Sequence, residues 1–182
     1  MRYFLTRKHP AVSRILLVES GPRHLLERLL PYLRGAYGED VPIDLVTCYA
    51  GLPAGLDVES TAVYRVAGYR GRSGRKRLYR ELKARRPSVL AIICAGVPIM
   101  TKWKWMLAAR LPAKVLVVNE NGDLFWIDRA HWKTIRHFVL FRAGFSGADA
   151  VRAIFRIAVF PLTLAYLLLY AAVIHLRRKV HG

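Results

Sequence analysis

Arg14-Ile15-Leu16-Leu17-Val18-Glu19, followed at once by Ser20-Gly21-Pro22, is the stretch from which the fold can be read. A short apolar run of branched side chains closed by turn residues reads as a strand buried on both faces. Ser20 can cap a helix that follows, and Pro22 suits its first turn. From Arg23, the leucines at 25, 26, 29, 30 and 33 share one helical face. Pro31 is expected to kink or shorten that helix, and Gly35 and Gly38 to end the unit.

The same alternation repeats downstream. Ile43–Tyr49 reads as a second strand, residues 50–60 as a loop, and Ala62–Ala67 as a third strand. A glycine-rich basic stretch, Gly68-Tyr69-Arg70-Gly71-Arg72-Ser73-Gly74, leads into a helix from about Arg75 to Arg85 that Pro87 stops. Val89–Cys94 is a fourth strand, Thr101–Arg110 a helix, and Lys114–Val118 a fifth strand. Strands that are apolar throughout and alternate with helices imply a parallel sheet covered on both faces. With right-handed crossovers the expected fold class is α/β, a doubly wound, mostly parallel, five-stranded Rossmann-like sheet.

After the fifth strand the pattern changes. Residues 124–145 mix Trp, Phe, His, Lys and Arg, a composition suited to a lipid headgroup layer. Ile157–His175 carries no charge and approaches the ~20 apolar residues needed to cross a hydrocarbon core. It is expected either to span the membrane or, bent at Pro161, to dip into one leaflet. Three parts follow: an α/β domain over residues 1–123, an amphipathic segment over 124–149, and a C-terminal apolar helix with a basic tail over 150–182.

The net charge is +18, from 30 Lys and Arg against 12 Asp and Glu. An excess of that size points to nucleic acid or to an anionic membrane surface. The apolar run and the lack of any nucleic-acid motif favour anionic membrane lipid over nucleic acid. The two cysteines, Cys48 and Cys94, lie in apolar runs without a CxxC or His neighbour and are expected to be reduced, buried and inert. No signal peptide is legible, so the α/β domain is placed on the cytoplasmic side of the inner membrane.

Ligands of open parallel sheets bind beyond the carboxyl ends of the strands. Four such ends carry candidate residues. The first, Glu19-Ser20-Gly21, is not a GxGxxG turn, which argues against a dinucleotide. Ser20, Gly21 and Arg23 could still receive a phosphate at a helix amino end, although a plain turn with a cap is the simpler reading. At the second, Arg70, Arg72 and Arg75 could hold a diphosphate or form a solvated basic face. At the third stands Gly96. The fourth, Asn119-Glu120-Asn121-Gly122-Asp123, is either a structural turn or a polar binding loop. Asn119 and Asn121 are candidate ligand contacts there, and Glu120 and Asp123 candidate catalytic carboxylates. No His, Cys or carboxylate spacing indicates a metal, and no cofactor is expected.

The order RILLVE, helix, IDLVTCY, then RLYRELKARRPSVLAIICAG resembles the N-terminal domain of GT-B glycosyltransferases, the heptosyltransferase-like group above all. It is also similar to small membrane-associated Rossmann proteins that pair with a separate donor-binding subunit. The likeness covers about residues 14–120. Where heptosyltransferases carry Gly-Asp after the first strand, this chain has Glu19-Ser20-Gly21-Pro22. The resemblance implies a membrane-anchored protein of cell-envelope polysaccharide synthesis that acts on or binds a nucleotide-linked or lipid-linked sugar. Arg70, Arg72 and Arg75 would then hold the phosphates, and Glu120 or Asp123 would act on the acceptor hydroxyl. The alternative implied is a non-catalytic scaffold that recruits a second glycosyltransferase subunit to the membrane.

Overall fold

The structure, a computed structural model, describes residues 11–57, 59–142, 155–156 and 159–171. The chain divides into two compact units, residues 1–132 and 133–182.

The first unit is an α/β sheet of six strands in the order β3-β2-β1-β4-β5-β6. They are β1 (Ile15–Val18), β2 (Ile43–Thr47), β3 (Val63–Arg65), β4 (Val89–Cys94), β5 (Lys114–Asn119) and β6 (Leu124–Trp126). The first five pair in parallel; β6 pairs antiparallel with β5, Val117 opposite Phe125. Five strands were expected, and β6 is the addition. The sequence pattern places Leu124–Trp126 in the interfacial segment, because a three-residue edge strand is too short to show a period of two.

Three helices make the crossovers: α1 (Arg23–Tyr37), α2 (Gly71–Ala84) and α3 (Thr101–Arg110). Strand residues of one parity, among them Ile15, Leu17, Leu45 and Ala91, pack with Leu25, Leu26, Leu29, Leu30 and Leu33 of α1. Residues of the other parity, such as Leu16, Ile92 and Val117, are equally buried. They face the opposite layer, where α2 buries Leu78 and Leu82 and α3 buries Leu107 and Ala108. Both faces are therefore covered, which is why the inner strands read as continuous apolar runs.

Helix α1 runs through Pro31 and Gly35 and stops at Gly38, whose φ is 102°. Its amino-terminal cap is Pro22, with no side-chain hydrogen bond, so Ser20 does not cap it. Helix α2 starts at Gly71, earlier than its glycines suggested, and takes Arg72, Ser73 and Gly74 into its first turn. An alanine methyl at Gly74 would lie 2.4 Å from the Tyr69 carbonyl carbon. That glycine serves the close approach of helix to preceding turn.

Toward the amino edge, two buried carboxylates hold cations. Asp44 of β2 accepts from Arg14 and receives both Nε and Nη2 of Arg85, at 3.1 and 2.9 Å. On β5, Lys114 is fully buried and its ammonium lies 2.9 Å from Asp128, itself 1% exposed. His131 Nδ1 is 2.7 Å from the same carboxylate, and the Lys114 ammonium sits 5.3 Å from the Trp126 ring centre. Burial alone would raise the Asp128 pKa, but the bonds from Lys114 and His131 outweigh it and hold it down at about 2. Sequence pattern alone places His131 in the interfacial segment. Its bond to Asp128 is invisible to pattern reading because Lys114 looks like a surface residue at a strand start.

In the second unit, α4 continues to Arg142 from its start at Trp132, and residues 159–171 are helical. Phe160, Leu162, Leu164, Leu167, Leu168 and Leu169 are all exposed on the latter. Among the described residues no helix is long and apolar enough to cross a membrane. The expected spanning helix over Ile157–His175 is thus not supported. Residues 157–158 and 172–175, like residues 143–149 of the amphipathic segment, lie outside the described residues.

Candidate functional site

All four candidate strand ends lie at the carboxyl edge of the sheet, because the strands that precede them, β1, β3, β4 and β5, run parallel. They do not form one site. The strand order puts β3 and β5 four steps apart, about 19 Å at the usual strand spacing.

The strand order reverses between β1 and β4, where a doubly wound sheet usually takes its ligand. Here that point is closed by the protein itself. Ser20 is fully buried and donates to the Ile93 carbonyl at 2.7 Å; the buried Lys104 of α3 donates to the same oxygen at 3.1 Å. A methyl on Gly21 would lie 2.4 Å from Ile93 Cγ2, so Gly21 is needed for packing. Glu19 is buried and accepts from Arg23 Nε at 2.8 Å and from the Thr47 hydroxyl. The Arg23 guanidinium also stacks 5.4 Å from the Tyr49 ring. The bond to Glu19 raises the Arg23 pKa further and ties up its charge. Ser20, Gly21 and Arg23 are therefore brought together, but as a packed turn with an internal ion pair. Replacing Ser20 with alanine leaves Ile93 with one donor fewer and is expected to lower stability by about 1 kcal/mol, measurable by urea unfolding.

Asn119 to Asp123 form the hairpin between β5 and β6. The Asn119 side-chain oxygen accepts from the amides of Asn121 and Asp123, and its Nδ2 donates to Asp123 at 2.8 Å. Gly122 has a φ of 86°. This is an Asx-type turn in which Asn119 and Asp123 are used on each other. Gly122→Ala is expected to cost about 1 kcal/mol through that left-handed backbone alone, since open space surrounds the position. A thermal-melt comparison checks it.

Arg70 and Arg75 do share a cleft. It measures about 370 Å³ and opens between the ends of β2 and β3 and the amino-terminal turns of α2 and α3. Arg70, Arg75 and Lys102 supply positive charge; Val66, Ala67, Trp103 and Met106 supply apolar wall; Cys48 and Tyr69 complete it with Gly71. Arg72 lies in the same first turn of α2, exposed, and does not line the cleft. Gly96 is exposed beyond β4 and does not line it either.

Helix α2 has no acidic residue in its first turn and no side-chain cap at Arg70, so the partial positive charge of its amino end adds to the three cations. Tyr69 is turned toward α2. Its hydroxyl donates to Glu81 and its ring carries the Arg77 guanidinium at 4.9 Å. Burial first, then the bond to Glu81, pushes its pKa up to about 12. Cys48, expected to be buried, is exposed just past β2, while Cys94 is buried as expected. Burial of the thiol, though partial, still raises its pKa. Among the described residues that line the cleft, none is a carboxylate.

Lys102, Trp103 and Cys48 were missed as site residues. Met100 precedes α3 with a φ of 49°, and that left-handed residue sets where Lys102 and Trp103 begin the helix. Nothing in residue spacing announces it. Among the described residues no group of three or more His, Cys, Asp or Glu side chains could hold a metal ion. Comparison of the chain with protein-family models, with curated proteins and with solved structures finds no match.

Proposed function

We propose that this is a membrane-associated, glycosyltransferase-like protein whose basic cleft holds the phosphates of a nucleotide-linked or lipid-linked sugar. The observation that carries this reading is the convergence of Arg70, Arg75 and Lys102 on one cleft at an uncapped helix amino end. Cationic side chains and helix amides are the groups that bind phosphate. The +18 charge and the exposed apolar side chains of residues 159–171 support attachment to an anionic membrane.

A second reading, binding without catalysis beside a separate glycosyltransferase subunit, is favoured by one observation. The candidate carboxylates Glu120 and Asp123 belong to a hairpin two strands beyond the switch point, and no carboxylate lines the cleft.

The test is equilibrium binding of inorganic pyrophosphate, a uridine-diphosphate sugar and a polyprenyl diphosphate to the full chain in neutral lipid nanodiscs. At least one should bind, and Arg70→Ala and Arg75→Ala should each weaken it about tenfold, the worth of one charge-assisted contact. Unchanged binding in both variants overturns the phosphate reading. Turnover that survives Glu120→Gln and Asp123→Asn would remove those two residues from any catalytic role.

A further inference from the structure

We infer that the ligand of the cleft is an amphiphilic phosphate, a phosphate head on an apolar isoprenoid-like chain, and not a nucleotide. This rests on the phosphate-binding reading above and chooses between its two ligand classes. Besides Cys48 and Tyr69, the side chains that line the cleft are of two kinds. Arg70, Arg75 and Lys102 are cations, and Val66, Ala67, Trp103 and Met106 are apolar. A ribose diol is commonly held by a carboxylate, and the amino groups of a base edge by carboxylate or amide acceptors. Among the described residues lining the cleft there is neither a carboxylate nor a side-chain amide. The one hydroxyl, that of Tyr69, already donates its proton to Glu81. The ribose hydroxyls and base amino groups of a nucleotide would find no carboxylate or amide acceptor against this apolar wall, and a desolvated polar group without a partner is unfavourable. An isoprenoid chain gains from that same wall, while its phosphate meets the three cations.

The second unit independently suits a chain that works where such ligands reside. Its helical residues 159–171 expose leucine, phenylalanine and tyrosine side chains. An all-apolar helix surface is at home in lipid.

Cys48 makes the inference testable, because it lines the cleft and is the exposed one of the two cysteines, Cys94 being buried. The experiment measures the rate of Cys48 alkylation by N-ethylmaleimide on the full chain in phosphatidylcholine nanodiscs. The probes are farnesyl phosphate, farnesol, inorganic pyrophosphate and uridine diphosphate. Farnesyl phosphate is expected to slow alkylation about tenfold at concentrations where the other three have little effect, because only it uses both walls. Arg70→Ala with Arg75→Ala, both at exposed positions, should abolish the protection. Uridine diphosphate protecting as well as farnesyl phosphate overturns the inference and leaves the phosphate reading intact. Farnesol protecting as well as farnesyl phosphate, or protection by no probe, overturns both. Protection that persists in the double arginine variant reveals mere partitioning into lipid and likewise overturns both.

Discussion

Replacing Lys114 with methionine is expected to destabilise the protein by about 3 to 5 kcal/mol, read as a fall in the urea midpoint at constant slope. Methionine keeps most of the volume, so the loss is electrostatic. The ammonium is fully buried and 2.9 Å from Asp128, which is 1% exposed. Without it the carboxylate keeps only His131, through the ring nitrogen and the backbone amide. A buried charge deprived of its main partner is one of the few single changes of this size.

The pH dependence gives the sign. In the native protein the Asp128 pKa lies at about 2, below its ordinary value of 3.8. A depressed carboxylate stabilises the fold above its unfolded pKa, and that contribution, about 2 kcal/mol, is lost as pH falls from about 4 toward 2. In Lys114→Met the burial that now opposes the charged form dominates, and the Asp128 pKa moves above its ordinary value. The contribution then reverses, and the variant's deficit relative to the native protein should shrink between pH 7 and pH 4. Lys114→Met combined with Asp128→Leu should regain most of the loss, because an apolar pair of similar volume has no charge to desolvate. A Lys114→Met variant as stable as the native protein at pH 7 would show that the pair is not isolated from water.

The parallel sheet was legible because its strands are buried on both faces. Ile15–Val18, Val89–Cys94 and Lys114–Asn119 have no polar residue to disguise them except at their ends, and each is followed by turn residues. Helix α3 was legible to the residue for a similar reason, being bounded by Pro98 and Pro112. What failed was anything set by contact at a distance. Glycines around residue 71 read as loop, yet Gly74 is there for backbone packing against Tyr69. Strand β6 exists only by pairing with β5.

The site followed the same division. Arg70 and Arg75, which share the cleft, are legible as candidates because a dense cationic run stands out in any sequence. Lys102 and Trp103 come from α3, a helix separated in sequence by a whole strand, and only the crossover brings them to Arg70. Glu120 and Asp123 drew attention as the rare carboxylates of a basic chain. The turn that Asn119 builds from its neighbours accounts for Asp123 and needs no ligand.

Gly21→Ala separates a packing glycine from a ligand-approach glycine, and about 2 to 3 kcal/mol of destabilisation is expected. The alanine Cβ would stand 2.4 Å from Ile93 Cγ2 and 3.2 Å from Ile93 Cβ. Ile93 cannot yield easily. It is 2% exposed, β-branched, and held in a strand paired on both sides. If this contact is the cause, removing Cγ2 should relieve it. Ile93→Ala alone should cost about 2 to 5 kcal/mol as a cavity, yet the double variant should be more stable than the sum of the two losses by about 1 to 2 kcal/mol, the coupling of residues in contact. Strict additivity would refute the contact explanation. A glycine kept for phosphate approach behaves oppositely: alanine there would spare stability and abolish ligand binding. Because Ser20, Lys104 and Ile93 already fill this point, Gly21→Ala is expected to lower the urea midpoint while leaving unchanged, in the folded fraction, the phosphate binding proposed for the cleft of Arg70 and Arg75.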